Sequence, residues 1–127
     1  MADSEIVNRF IDTIKKDIPG LIAVSVVNVA TGNSLGMHSN DPSFNPEVAS
    51  AYNVEVVKAK LKAINALHLS EPIDHILIEL KTQYHIIKVT EDGKHMAYVA
   101  TSKAETNVAR ARSVTRANMI KLERKLR

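Results

Sequence analysis

Several residue types that support common functions are missing or rare in this chain. There is no cysteine, which excludes disulfides, thiolate zinc sites and cysteine nucleophiles. There is no tryptophan, and only two Phe and three Tyr are available to stack on nucleic-acid bases. The longest strongly apolar run, Leu21–Ala30, is too short to cross a bilayer as a helix. The opening residues "MADSEIVNRF" lack the pattern of a signal peptide. We therefore predict a soluble, cytoplasmic protein without integral membrane association.

The residues that are present indicate one globular unit. The chain has 127 residues, of which 45% are hydrophobic and 24% charged, so we predict a single domain spanning residues 1–127. The net charge of +3 is unevenly distributed. From Lys103 onward there are eight Lys or Arg against two acids, a net charge of +6, whereas the preceding residues carry nine against twelve, a net of −3. The basic character therefore belongs to the C-terminal segment.

The first part of the chain predicts a helix followed by two strands. Apolar residues from Ile6 to Ile18 recur at helical spacing, and the helix should stop at "IPG" because proline lacks an amide donor and glycine permits a reversal. Leu21–Ala30 is β-branched and almost fully apolar, which is typical of an interior strand covered on both faces. The turn "ATGN" leads to a second strand near Ser34–His38.

The remainder predicts a long helix, three strands and a closing helix. Asn45 as N-cap and Pro46 at the first helical position begin a helix that runs to about Leu69. The closing helix should begin near Ala104. Between these helices the pattern predicts strands at about 73–80, 84–90 and 95–101, the last two joined by "EDGK". The order α-β-β-α-β-β-β-α predicts an α+β sandwich with a five-stranded antiparallel sheet and three helices.

The basic C-terminal segment keeps a regular apolar period. One stripe steps by three and four residues and consists of Ala104, Val108, Ala111, Thr115, Met119, Leu122 and Leu126. The cationic residues fall off this stripe, as expected for a packed amphipathic helix with its charges in water. We therefore expect no nucleic-acid partner. The alternative, a nucleic-acid or membrane surface, would require steeply salt-dependent binding.

The middle helix has more apolar surface than one sheet face can cover. One arc of its helical wheel, here called the interface arc, contains Val48, Tyr52, Val56, Ala59, Ala63 and Ala66. A second apolar arc, Val54, Val57, Leu61 and Ile64, lies roughly opposite. Wide exposed apolar surfaces mark interfaces, and two-fold homodimers are the commonest assemblies. We therefore predict that the interface arc contacts a second copy of the chain. The alternative is a helix held between the sheet and a loop.

No catalytic or metal-binding constellation is found. The phosphate-binding and nucleophile motifs G-x-x-x-x-G-K-[ST], G-x-G-x-x-G and G-x-S-x-G do not occur. His75, His85 and His95 recur every ten residues, but hairpin registers separate them, and zinc needs converging ligands. Asp74 and Glu79 should face opposite sides of one strand, so they do not form a paired-carboxylate site. We predict a protein that is not an enzyme, with no catalytic residues, no metal and no cofactor.

The chain resembles the roadblock/dynein light chain family, a longin-related group with a profilin-like fold. The resemblance rests on "DIPGLIAVSVVNVATGNSLG" (Asp17–Gly36) and on "TNVARAR" (Thr106–Arg112), which is similar to the family's N-L-G-L-A-R. Asn107, Val108, Ala111 and Arg112 match this motif, whereas Ala109 stands where glycine is common. The resemblance implies a non-enzymatic homodimer in which the middle helices pack together and the third strands pair into one sheet. It also implies binding to small Ras-like GTPases, or scaffolding of motors and signalling complexes.

Our leading hypothesis is therefore a homodimeric interaction module that binds and regulates a small Ras-like GTPase. For the GTPase contact we select the polar arc of the middle helix, Glu55, Lys58, Lys62 and Asn65. Two alternatives are an oligomeric scaffold for a motor or signalling complex, and a sensor that binds a small molecule between sheet and helix.

Overall fold

The computed structural model describes residues 3–126. Met1, Ala2 and Arg127 belong to the predicted domain but lie outside the described residues. Between these limits the chain forms three helices and five strands. Their bounds are α1 (Asp3–Asp17), β1 (Leu21–Asn28), β2 (Ser34–Ser39), α2 (Pro46–Ala66), β3 (His75–Glu79), β4 (Gln83–Val89), β5 (His95–Ser102) and α3 (Val108–Lys125). The predicted element order and the predicted antiparallel sheet are both confirmed.

The strands follow the spatial order β2-β1-β5-β4-β3, with every neighbouring pair antiparallel. β1, β5 and β4 are therefore interior strands, and β2 and β3 form the two edges. The pairing of β1 with β5 is long-range in sequence, for example Val24 opposite Val99. Nearly all of β1 is buried, so the prediction of an interior strand covered on both faces is confirmed.

Alternating side chains of the central strands belong to two separate apolar cores. Val24, Val26, Ala97 and Val99 belong to the core beneath α1 and α3. The intervening residues of the same strands, such as Val27 and Tyr98, belong to the core beneath α2. Because neighbouring residues of a strand point to opposite faces, one strand supplies both cores. α2 therefore covers one face of the sheet, and α1 and α3 cover the other.

The predicted end of α1 and the predicted start of α2 are found in the structure. α1 ends at Asp17, and Gly20 then takes a φ of +80°, a left-handed conformation that glycine adopts without a Cβ clash. The Asn45 side chain caps α2 by accepting hydrogen bonds from the amides of Glu47 and Val48, and Pro46 is the first helical residue. These interactions satisfy amides that the helix itself leaves unpaired.

Two helix limits differ from the prediction. α3 begins at Val108 rather than near Ala104, because Asn107 is its cap and accepts a hydrogen bond from the Arg110 amide. Ala104 is exposed and lies outside the apolar stripe. α2 ends at Ala66 rather than near Leu69, since His68 takes a positive φ of 57°. The rest of the stripe is confirmed as the packed side of α3, in which Ala111, Thr115, Met119 and Leu122 are buried.

Candidate protein-interaction surfaces

The inner side of α2 is fixed to the sheet by apolar contacts and one polar bridge. Val54 and Val57 are at most 2% exposed and pack in the core with Ile87 and Tyr98. The Ser50 hydroxyl donates to the Pro46 carbonyl at 2.6 Å and lies 2.5 Å from the Ser25 hydroxyl of β1. Because a serine has one hydroxyl hydrogen, Ser25 donates in this second bond. α2 is therefore held in one orientation, which determines the residues that it presents outward.

The outward side of α2 carries the interface arc. Tyr52 is 74% exposed, Val48 51% and Val56 40%. Ala59 and Ala66 are also exposed, and Ala63 is half-buried. Single exposed apolar side chains are ordinary on protein surfaces, but a continuous row along one helix is not. The row thus remains uncovered in a single copy of the chain.

The apolar surface continues past the end of α2 and along the β3 edge. Leu67 and Leu69, just after the helix, are 64% and 50% exposed. β3 pairs with β4 and has no second strand beside it within residues 3–126. Leu80, just after β3, is also exposed, whereas the exposed Leu77 lies on the opposite face of the sheet, which carries α1 and α3. An edge strand with free backbone groups is a template for pairing with another strand.

The polar arc lies on the flank of α2 above the β1–β2 turn. Lys58 Nζ donates to the Ala30 carbonyl at 3.4 Å and lies 4.0 Å from Glu55. Lys62 and Asn65 are exposed on the following turns. The structure thus brings Glu55 and Lys58 together and leaves Lys62 and Asn65 open to solvent. That these four residues contact a partner stays a prediction.

The three regularly spaced histidines do not converge. His85 is opposite Ile78 in the β3–β4 register, and His75 is three residues before Ile78, so His75 and His85 face opposite sides of the sheet. His95 begins β5 after the turn. Across residues 3–126, no group of three or more His, Cys, Asp or Glu side chains is placed to hold a metal ion. Asp74 pairs with Lys88, and Glu79 pairs with Lys103, so these two carboxylates act separately.

His85 belongs to a partly buried polar group on the α2 face. Its Nδ1 is 3.1 Å from the Tyr98 hydroxyl, its Nε2 is 2.8 Å from Gln83 Oε1, and the Phe44 ring meets it edge-on. An amide oxygen only accepts, so Nε2 carries the proton and Nδ1 accepts from Tyr98. Burial lowers the pKa of His85 and raises the pKa of Tyr98. This arrangement favours the neutral imidazole.

We expect the free energy of unfolding to fall as the pH drops below the ordinary histidine pKa of 6.5. Because the folded-state pKa of His85 is lowered, the unfolded chain binds more protons between the two pKa values, and acid there favours unfolding. Urea unfolding at about pH 7.5 and about pH 5.5 measures this loss. His85→Gln should lose less stability over the same interval. An equal loss in both proteins would assign the pH dependence to other groups.

A charged cluster beside β3 could not be identified from the sequence. Asp74 lies 3.0 Å from Lys88 Nζ, 3.3 Å from His75 Nδ1 and 3.9 Å from the guanidinium of Arg116 on α3. The hydrogen bond from Lys88 is the main reason that the pKa of Asp74 is lowered. Lys88 and Arg116 are far from Asp74 in the chain and meet it only because β4 pairs with β3 and α3 packs on β4. Sequence spacing offered no signal for this cluster.

No helix within residues 3–126 combines the length and the apolar composition that crossing a bilayer would require.

An antiparallel sheet with one helix on one face and two on the other defines a three-layer α+β sandwich. No family model matches the chain, and no curated protein matches it. Solved structures do match. A roadblock/LC7 domain from Streptomyces avermitilis is 10% identical, with 97% of this chain and 96% of that chain covered and a TM-score of 0.76. MglB from Myxococcus xanthus is also 10% identical, with 97% and 95% covered and a TM-score of 0.72.

A further structure, described as MglB with a tetrameric arrangement, is 9% identical and has a TM-score of 0.77, with 94% of this chain and 88% of that chain covered. At these identities the likeness establishes the fold, and the fold is that of the roadblock/LC7 domain. The resemblance seen in Asp17–Gly36 and Thr106–Arg112 is confirmed at the level of the fold.

Proposed function

We propose that this chain is a non-enzymatic, cytoplasmic interaction module. It forms a single roadblock-like domain over residues 1–127 and acts as a homodimer. The observation that carries the proposal is the interface arc of α2, whose residues Val48, Tyr52 and Val56 are exposed while the opposite side of the helix is buried. Covering such a row by a second copy removes apolar area from water, at roughly 25 cal/mol per Å². The tetrameric arrangement of MglB, a protein of the same fold, supports self-association.

The uncovered β3 edge provides a second element of the proposed dimer. β3 lies at the opposite edge of the sheet from β2, and its outer backbone groups are free to pair with the same strand of a second copy. A two-fold axis brings identical surfaces together. The α2 helices would then meet on one face of a continuous sheet, as the family resemblance implies.

We further propose that the dimer binds a small Ras-like GTPase through the polar arc and modulates its nucleotide cycle. This step rests on the family resemblance and on the exposure of the four polar-arc residues. We assign no arginine finger to the chain. Any change in hydrolysis rate would come from repositioning the switch loops of the GTPase, which carry its own catalytic groups.

The experiment that tests this function is capture of a GTPase from a lysate of the source cell on immobilised protein, once with GTPγS and once with GDP. We expect a Ras-like GTPase to be recovered preferentially in one nucleotide state. Lys58→Glu with Lys62→Glu should reduce the recovery by about tenfold, since reversing contact charges creates repulsion across an interface. The control is Lys15→Glu with Lys16→Glu, which makes the same charge change at exposed positions of α1.

Each failure of this experiment has a separate meaning. Unchanged capture by the Lys58 and Lys62 variant would show that the polar arc is not the contact. Capture of no GTPase in either nucleotide state would contradict the GTPase proposal and favour the alternative, an oligomeric scaffold for a motor or signalling complex. The sensor hypothesis is less well supported, because Val54, Val57, Ile87 and Tyr98 fill the space between the sheet and α2.

A further inference from the structure

A groove runs between α3 and the outer strands of the sheet, on the face opposite α2. α3 packs on β4 and β5, and the edge strand β3 lies to the side of the region that α3 covers. Leu77 of β3 is opposite Ile86 of β4 in the register; Ile86 is buried in the core under α3, whereas Leu77 is 37% exposed. The groove has a volume of about 280 Å³. Ile86 belongs to the lining of the groove, and the exposed Leu77 lies beside Ile86 on the same face of the sheet, just outside that lining.

The walls of this groove carry an excess of positive charge. Its lining includes His75 and Lys88 from the strands and Arg112 and Arg116 from α3. Among the described residues the lining contains no acid, and Asp74, which pairs with Lys88 at 3.0 Å, lies 3.9 Å from Arg116. Arg112 has no ion pair within residues 3–126. One guanidinium is thus unpaired and the other only loosely paired, beside an exposed leucine. We call this site the cationic groove.

We infer that the cationic groove binds an acidic, extended segment of a partner protein. Carboxylates of that segment would pair with Arg112 and Arg116, whose planar guanidinium groups match a carboxylate in two-point hydrogen bonds. An apolar side chain between the carboxylates would cover Leu77. This site lies on the other face of the sheet from α2, so the inference does not rest on the packing of α2 or on the proposed GTPase contact.

Charge along the groove favours a peptide over other anionic partners. The groove continues into a cavity of about 250 Å³ that shares Lys88 and Arg116 with it, and whose lining adds the three acids Asp74, Glu91 and Glu123. A nucleic-acid backbone that extended into this cavity would meet like charges, and the lining contains no aromatic ring on which a base could stack. Lys88 has a side chain that is 12% exposed, so a flat membrane surface has little access to it. A short segment that ends before the acids fits both regions.

The test measures retention of an acidic peptide pool on the full-length chain. The pool contains peptides of about six residues, roughly 20 Å long when extended, with Glu or Asp at alternate positions and mixed residues between them, a spacing that places acids on one side of an extended segment. Arg112→Glu with Arg116→Glu should lower retention at least about tenfold, because each carboxylate then meets a negative charge. The matched control is Lys121→Glu with Lys125→Glu, on the flank of the same helix that faces α1, and its retention should stay within about twofold.

Circular dichroism melts test whether both variants fold. If the Arg112→Glu and Arg116→Glu variant does not fold, Arg112→Gln with Arg116→Gln is measured in its place. Equal losses in the groove variant and the control would overturn the inference, because attraction to the whole basic helix would explain them. Failure to retain the pool would overturn it as well. Phosphatidylserine vesicles and a single-stranded oligonucleotide serve as competing probes. If the vesicles or the oligonucleotide displace the peptides, and the groove variant no longer binds that probe, the ligand is a membrane or a nucleic acid and the peptide assignment is wrong.

Discussion

Tyr52→Glu with Val56→Glu should convert the proposed dimer into a monomer of 14.0 kDa. Tyr52 and Val56 are exposed in the single chain, so the substitutions leave the protomer fold intact. In a dimer they would place charges in an apolar contact without partners, at a cost of several kcal/mol. A loss of about 4 kcal/mol weakens association roughly 1,000-fold. Light scattering over a range of protein concentrations measures the mass.

The matched control for this prediction is Ala51→Glu, which adds a charge at an exposed position of α2 outside the interface arc. This variant should keep about twice the mass of one chain, as expected for a closed two-fold assembly. Persistence of the dimer in the double variant would exclude the interface arc as the contact. A wild-type chain that stays monomeric at every concentration would refute the dimer itself.

Tyr98→Ala should cause the largest loss of stability among the substitutions considered, about 3–5 kcal/mol. Tyr98 is fully buried, its ring is 6.4 Å from that of Phe44 in a stacked arrangement, and its hydroxyl binds His85. Removing the ring leaves a cavity between β5 and α2 that the surrounding side chains fill only in part. Urea unfolding monitored by circular dichroism measures the loss.

Tyr98→Phe separates the ring from the hydroxyl. It keeps the packing and removes only the hydrogen bond to His85, so we expect a loss of about 1 kcal/mol. Both variants and the wild type must be measured at the same protein concentration, because association adds to apparent stability. A small effect of Tyr98→Ala, similar to that of Tyr98→Phe, would contradict the packing role that we assign to the ring.

The element order was accessible from the sequence because strong local signals mark most of it. The helical period from Ile6 to Ile18, the Asn45–Pro46 start of α2 and the apolar run of β1 each depend on neighbouring residues alone. The unusual width of the apolar surface on α2 was visible for the same reason, since a helical wheel needs only one segment. The fold class and the surplus of apolar surface on α2 could therefore both be predicted, whereas the contact of the interface arc with a second copy stays a prediction.

The remaining features depend on residues that are distant in sequence. The start of α3 was misplaced because Glu105 and Thr106 bond to Ser102 and Pro19 and so hold the chain outside the helix. Likewise, the cationic groove requires Lys88 and Arg112 to line the same cavity, which no spacing in the sequence indicates. Its only trace was the concentration of positive charge after Lys103, which fits a plain solvated helix equally well.

The position of β1 between β2 and β5 also affects the chain while it is being synthesised. β2 follows β1 after a short turn, but β5 begins only at His95. Until that late segment has emerged, one edge of the valine-rich strand Leu21–Asn28 remains unpaired. Such an edge is a template for intermolecular pairing, and it stays available for most of translation. We therefore expect a chain that ends before β5 to pair with other chains more readily than the complete domain does.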